Sequence, residues 1–321
     1  MKKINILDLS PTELYSFIDG LGEKPYRARQ LAKWVYKGGA RGFGEMTDLS
    51  KSFRSRLEEC AFISSFKPPR RQESTDGTQK FLFELSDGHR VESVLIPEGK
   101  RSTLCVSTQV GCLMGCTFCL TGTLGKMRDL APAEIISQYL YVNSTSDDGV
   151  TNIVFMGMGE PLDNFDNTVA SLQQLTDPEF VGMSPRKITV STSGLIPQIK
   201  QLGERAPVNL SVSLNASNDS LREKIMPLNK KYPIKELIQA CRSYPLLKRR
   251  GVTFEYVLIK GLNDSLEHAF ELVGLLKNMN CMVNIIPFNE APPLPYKSPA
   301  WNKVVEFQNV LIANGVRTMV R

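Results

Sequence analysis

GCLMGCTFC, residues 111–119, sets Cys112, Cys116 and Cys119 in a C-x₃-C-x₂-C pattern. One short loop thus supplies three thiolates, and no fourth cysteine follows close behind. A four-iron cluster normally takes four cysteines, so three leave one iron open to bind and activate a small molecule. Two other readings fit the same residues. Cys105 lies seven residues before Cys112, and four thiolates within 15 residues can close a structural zinc site. Inert buried thiols are the third reading, and the isolated Cys60, Cys241 and Cys281 suit it. Cys105 itself falls in LCVSTQV, an alternating run that reads as a strand leading into the loop.

Outward from the loop a rhythm appears. Strand-like runs occur at 104–109, 151–156, 187–192, 209–214, 253–259 and 284–288. Helix-like segments separate them, beginning near Pro132, Asp166, Ile196, Ile234, Ser265 and Ala300. Six βα units with apolar strands predict a parallel sheet covered by helices, curled by right-handed crossovers into a partial (βα)6 barrel, an α/β fold. In such architectures function collects at the strands' C-terminal ends, and the cysteine loop follows the first strand. The second strand ends in MGMGEP (156–161), where glycines permit close approach to a ligand and Glu160 can accept from an ammonium group. The third ends in STSG (191–194), the fourth in SLNA (213–216) and the sixth in PFN (287–289). Ser191, Ser213, Asn215 and Asn289 can hydrogen-bond a ribose, a carboxylate or an adenine; taken singly, turn and capping chemistry explains each as well.

The flanking regions differ in character. Ser10-Pro11 starts a helix that stops at Gly20, Pro25 starts a second through YRARQLAKWVYKG, and Ser50 a third to about Ala61. Aromatics beside cations in the second helix can stack on bases, although Trp34 at helical spacing with Leu31 reads first as core. Residues 79–96 read as a β-hairpin around Asp87-Gly88. The expected organisation is a basic helical module at 1–71, a hairpin connector at 72–100 and the βα body at 101–321. Charge follows this division. Residues 1–71 hold 14 Lys/Arg against 8 Asp/Glu, whereas residues 72–321 hold 25 of each, so the whole net charge of +6 sits in the N-terminal fifth. A basic appendage on a neutral body suggests a polyanion, most simply RNA or DNA phosphate; a solvated basic face is the plainer alternative. No stretch approaches the ~18 apolar residues of a membrane span, and MKKINILDLSPTEL lacks the apolar core of a secretory signal. Seven cysteines, an odd and mostly isolated set, argue for a reducing compartment; the expected location is the cytoplasm.

The C-x₃-C-x₂-C loop followed one unit later by MGMGEP resembles the radical S-adenosylmethionine (SAM) enzymes, whose cluster loop and "GGEP" element hold a [4Fe–4S] cluster and the SAM amino group. The longer strings VESVLIPEGKRSTLCVSTQVGCLMGCTFCLTG, FMGMGEPLDN, ITVSTSG, SLNASND, LNKKYPI, TFEYVLIKGLND and VNIIPFN, with KPYRARQLAKWVYK and EMTDLSK, resemble one family over nearly the whole chain. It is the dual-specificity RNA methyltransferase (RlmN) family, which methylates C2 of an adenosine in 23S rRNA and in certain tRNAs. The resemblance implies that Cys112, Cys116 and Cys119 hold the cluster. It implies that Gly159, Glu160, Ser191, Ser213, Leu214, Asn215 and Asn289 contact SAM. Glu92 matches the acid that takes a substrate proton, and Cys105 the cysteine that resolves a covalent enzyme–RNA adduct by disulfide formation. C2 of adenine is electrophilic, so a methyl cation cannot simply be transferred to it. The family uses one SAM to methylate a cysteine near the C-terminus and a second to generate a 5′-deoxyadenosyl radical that takes hydrogen from that methyl. Implied partners are 23S rRNA, tRNA and an electron donor such as flavodoxin or ferredoxin, with the chain a monomer and no membrane involved.

The chain departs from the family pattern in three places. Asn215 stands where the family usually has His. Gly125-Lys126-Met127 replaces a glycine–aromatic pattern. The methyl-carrying cysteine of the family lies in an RGxDIxAACGQ-like string, and the sequence reaches Arg321 about where that string should start. The 321 residues as given are therefore expected to bind and slowly cleave SAM without methylating RNA. Two alternatives to the C2 reading are a Cfr-type relative, which methylates C8 of the same rRNA adenosine, and a non-catalytic, zinc-stabilised RNA-binding protein.

Overall fold

The computed structural model describes residues 3–321. Strand β1 (Ile4–Asn5) pairs in parallel with β2 (Ala61–Phe62), and between them in sequence lie α1 (Pro11–Gly20), α2 (Tyr26–Ala32) and α3 (Lys51–Cys60). The N-termini are set as the sequence predicts. Ser10 and Glu13 form a capping box with Pro11 at the first turn, and the Ser50 side chain accepts from the Phe53 N–H at 3.2 Å. Helix α2 runs on into one π-helical turn at Lys33–Lys37. Trp34 is half-buried, its indole N–H donating to Asp48 Oδ1, while Leu31, Ala32 and Val35 fill the core beneath it.

Antiparallel strands β3 (Arg70–Glu73), β4 (Gln79–Glu84), β5 (Arg90–Glu98) and β6 (Arg101–Cys105) follow. The hairpin at Asp87-Gly88 is present, with Gly88 at φ +85° where the turn needs a left-handed residue. Strand β3 carries no sequence signal: all four of its residues are exposed and polar, so no alternation betrays it. The cysteine loop lies between β7 (Gln109–Gly111) and β8 (Lys126–Asp129), with α4 (Leu120–Thr123) at its end. Helix α5 (Pro132–Thr145) leads to β9 (Asn152–Phe155), which pairs in parallel with β6, and α6 (Phe165–Thr176) follows. The rest of the chain alternates strands with helices: β10 (Ile188–Thr192), α7 (Ile196–Arg205), β11 (Asn209–Ser213), α8 (Asp219–Ile225), α9 (Ile234–Arg242), β12 (Val252–Leu258), α10 (Leu266–Leu276), β13 (Cys281–Pro287), α11 (Trp301–Ala313) and β14 (Arg317–Val320). All six expected strands and the six expected helices are there. The first strand begins three residues earlier than expected and ends at Cys105.

Two structural units divide the chain. One takes the residues up to Val110 with Arg128–Met158 and Asn164–Ile188. Its strands run in the order β9-β6-β5-β4-β3. The second takes Gly111–Met127, Gly159–Asp163 and Thr189–Arg321, and its strands β10 to β14 lie side by side in sequence order, all parallel. In this second unit Val190, Leu210, Val212, Phe254, Tyr256, Leu258, Val283 and Ile285 are fully buried on one face of the strands. The Tyr256 ring meets Phe307 of α11 at 5.3 Å, which identifies that face as the helix-covered one. The alternate residues Ser191, Ser211, Ser213, Glu255 and Asn284 therefore share the opposite face. Among the described residues no helix is long and apolar enough to cross a membrane.

Candidate active site

The cysteine loop, the MGMGEP turn from Gly159 onward and the ends of β10, β11 and β13 all belong to the second unit. Gly111 opens the loop at φ +80°, and a Cβ there would meet Gly125 O at 1.7 Å, so only glycine fits. The Cys112 N–H donates to Gly125 O at 3.0 Å, and the Thr117 N–H to Ile225 O on α8 at 3.0 Å. The Cys119 N–H returns to Cys116 O at 3.1 Å, closing a tight turn. Cys116 and Phe118 pack against Ala216, Leu221, Ile225 and Met226. All three cysteines are half-buried. Burial pushes the Cys112 thiol up to about 11, against a backbone hydrogen bond from Met114. Burial likewise pushes Cys116 up to about 12, helped by the Cys119 and Cys112 charges. These thiols are protonated at neutral pH until a cation displaces the protons.

Glu160 is 3% exposed. One carboxylate oxygen accepts from the Ser193 N–H at 2.7 Å and the Ser193 hydroxyl at 2.8 Å; the other accepts from the Leu162 N–H at 3.0 Å. Burial nevertheless raises its pKa above the ordinary carboxylate range. Gly159, at φ +98°, makes the turn that buries this side chain. Ser191 and Ser213 are half-buried at the ends of β10 and β11, on the face away from the helices. Leu214 is fully buried. Asn215 sits at φ +57°, a left-handed position that Asn tolerates better than most residues. Its side chain is committed locally: Oδ1 accepts from the Val257 N–H at 2.8 Å and Nδ2 reaches Met226 Sδ at 3.3 Å. Its backbone is committed too, the N–H donating to Glu255 O at 3.3 Å and the carbonyl accepting from Asn263 Nδ2 at 2.9 Å. Asn289 follows β13 and is exposed.

Glu92 and Cys105 belong to the first unit. Cys105 ends β6 opposite Val94 of β5 and beside Val154 of β9. Glu92 lies two residues from Val94, so the alternation of β5 puts it on the same sheet face as Cys105. Burial pushes the Cys105 thiol up to about 12, against a backbone hydrogen bond from Met156. Glu92 pairs with Lys80 Nζ at 3.2 Å, both side chains being more than 40% exposed. Sequence reasoning missed two residues at the centre of the second unit. Ser193 holds Glu160, and Arg222 is wholly buried beneath the rim carbonyls. Ser193 lies inside STSG; Arg222, in NDSLREK, reads as a solvated helical cation and carries no sequence signal.

Comparison with known proteins settles the family. Residues 4–63 match the ribosomal RNA large subunit methyltransferase N-terminal domain, and residues 106–273 the radical SAM superfamily. The chain is 49% identical over 321 residues to a dual-specificity RNA methyltransferase RlmN of Geotalea uraniireducens, covering 100% of this chain and 93% of that protein. It belongs to the RlmN family. The RlmN protein of Geobacter sulfurreducens is 50% identical over 309 residues, covering 96% of this chain and 85% of its own length. A radical SAM methyltransferase from Sphaerobacter thermophilus superposes with a TM-score of 0.92 at 42% identity, covering 99% and 95% of the two chains. The group RlmN proteins use is a [4Fe–4S] cluster with SAM, and the residues here fit it. The loop offers three half-buried thiols, and the buried cation Arg222 stands within electrostatic reach of Cys116. Among the described residues no three His, Cys, Asp or Glu side chains converge as a single-ion site. The family supports the open-cluster reading over the zinc one.

Proposed function

We propose that this RlmN-family enzyme, when it carries the family's methyl-cysteine, methylates C2 of adenosine in 23S rRNA and tRNA, in the cytoplasm, as a monomer fed by a low-potential donor of the flavodoxin or ferredoxin class. The observation that carries the reading is the joint presence of the three-cysteine loop and the Glu160 cradle in one unit, in a chain all of whose residues align with 93% of an RlmN protein. Cys112, Cys116 and Cys119 would hold the cluster, which when bound would supply an open iron for SAM and the electron for its cleavage. Glu160 holds the SAM ammonium, because its carboxylate is buried and oriented by donors from Ser193, Leu162 and Thr192 before any ligand arrives. Gly159, Ser191, Ser213 and Asn289 orient the remainder of SAM, with Leu214 and Asn215 shaping the wall beside them. On the first unit Glu92 takes the proton from the substrate carbon, and the Cys105 thiolate attacks the sulfur of the family's carrier cysteine, forming a disulfide as the carbon–sulfur bond to the product breaks. The shared face of β5 and β6 supports that pairing. The buried Cys105 thiol must first lose a proton held up to about 12, so it needs a neighbouring base.

RNA contacts fall to residues 1–71. Among the described residues Lys24, Lys33, Arg41, Lys51, Lys67 and Arg70 are exposed and form no ion pair. They are free to meet phosphate. The test of the reaction is mass spectrometry of nuclease-digested RNA after incubation with the native enzyme, SAM and reductant. The reading expects 2-methyladenosine; 8-methyladenosine instead would assign the Cfr-type reaction, and neither product would remove the proposal.

A further inference from the structure

Arg222, on α8, is the largest wholly buried side chain among the described residues. Its guanidinium donates only to neutral groups: Leu214 O at 3.0 Å, Ser213 O at 3.0 Å, Ser193 O at 2.6 Å and Asn229 Oδ1 at 3.2 Å. No carboxylate of the described residues lies within ion-pair distance of it. Asp219, the first residue of its own helix, commits Oδ1 to Asn229 Nδ2 and the Ile234 N–H, both at 2.8 Å. A buried cation without a counter-charge costs several kcal/mol, so the fold carries a charge that something else must balance. Helix α8 also seats the cysteine loop, through the Thr117 N–H on Ile225 O and through Cys116 and Phe118 against Leu221 and Ile225. Burial lowers the guanidinium pKa to about 10, with the Cys116 charge the largest opposing influence, so Arg222 remains charged at neutral pH.

We infer that Arg222 is the internal counter-cation of the anionic cluster, raising its reduction potential, while its hydrogen bonds hold the ends of β10 and β11 on which SAM rests. The inference rests on the cluster reading under Proposed function. The charges balance simply. A core of charge 2+ with three thiolates is a monoanion; one electron from a low-potential donor makes it a dianion, with no bond made or broken. A fixed cation in a poorly screened interior favours the more negative state. Arg222 acts through the cluster and the rim carbonyls and is a positioning residue.

The test is an anaerobic redox titration with dithionite of the reconstituted full chain, followed by electron paramagnetic resonance, for wild type, Arg222→Met and Arg222→Lys. Iron content is measured first: wild-type protein that takes up no iron fails the cluster reading itself and leaves nothing for Arg222 to balance. With iron loaded, Arg222→Met should lower the reduced-to-oxidised ratio at a fixed potential about tenfold, equal to about 59 mV for one electron. Arg222→Lys keeps the charge with fewer donors. It should hold that ratio near the wild-type value while weakening SAM binding. An iron-loaded Arg222→Met with wild-type potential overturns the inference. So does a tenfold loss in Arg222→Lys, which remains informative should the Met variant fail to fold.

Discussion

Glu160 shows how burial and orientation combine in one side chain. Its donors, from Ser193, Leu162 and Thr192, favour the carboxylate, yet desolvation outweighs them and raises its pKa. A bound ammonium needs the ionised form. SAM affinity should therefore be complete above the raised pKa and fall as the pH descends through it, beginning at a higher pH than an ordinary glutamate would give. Glu160→Gln should bind SAM about 10- to 100-fold more weakly, as loss of a hydrogen bond to a charged group implies, with a flat pH profile and normal iron content by isothermal titration and iron assay. A similar contrast separates the cysteines. Cys116→Ala should abolish iron binding, whereas Cys105→Ala should leave it intact, because Cys105 ends a strand of the first unit. Iron depletion in the Cys105 variant would return the four-cysteine zinc reading. Asn215 carries the opposite lesson: its position in SLNA was legible, but its side chain serves Val257 and Met226, a tertiary commitment that no local pattern displays.

The loop and the strands around it were legible for different reasons. Parallel strands β10 to β13 announce themselves as apolar runs at regular spacing, and their helices by proline or serine near the start. Strand β14 has one paired neighbour and alternates exposed with half-buried residues, too weak a signal to read. Helix α8 is short and was hidden because NDSLREK is charged; its cap, Asn218 Oδ1 accepting from the Leu221 N–H at 3.0 Å, is the sign that could have found it. Within the cysteine loop two glycines look alike in sequence and differ in consequence. Gly111→Ala drives a Cβ into Gly125 O and should reduce iron loading several-fold, since the backbone that aims Cys112 must move. Gly125→Ala meets open space at φ +67°, so it should cost only about 1–2 kcal/mol of local strain and keep its iron. Equal loading in the two variants would mean that the close approach at Gly111 is not what shapes the loop.

At the scale of the whole chain the net positive charge is concentrated in residues 1–71. The basic N-terminal residues are tied into the first unit rather than appended to it. Asp8 Oδ1 accepts from the Ala133 N–H at 3.0 Å at the start of α5, and Gln174 Nε2 donates to Leu7 O and Leu9 O at 2.8 Å. Deleting residues 1–71 would remove these bonds, so replacing Lys33, Arg41 and Lys51 together with Ala is the cleaner experiment. RNA affinity should fall, and the slope of log affinity against log salt should shrink by about 0.7–0.9 for each phosphate no longer neutralised, with SAM binding unchanged; an unaltered slope would make the charge a solvated surface. The claim on which everything else depends is the open cluster. Anaerobic reconstitution of the full chain, with iron, sulfide, zinc and 5′-deoxyadenosine quantified after adding SAM and dithionite, tests it most directly. The account predicts a brown protein with about four irons per chain that releases 5′-deoxyadenosine and methionine. A colourless protein that holds zinc tightly, takes up no iron and leaves SAM intact would contradict it.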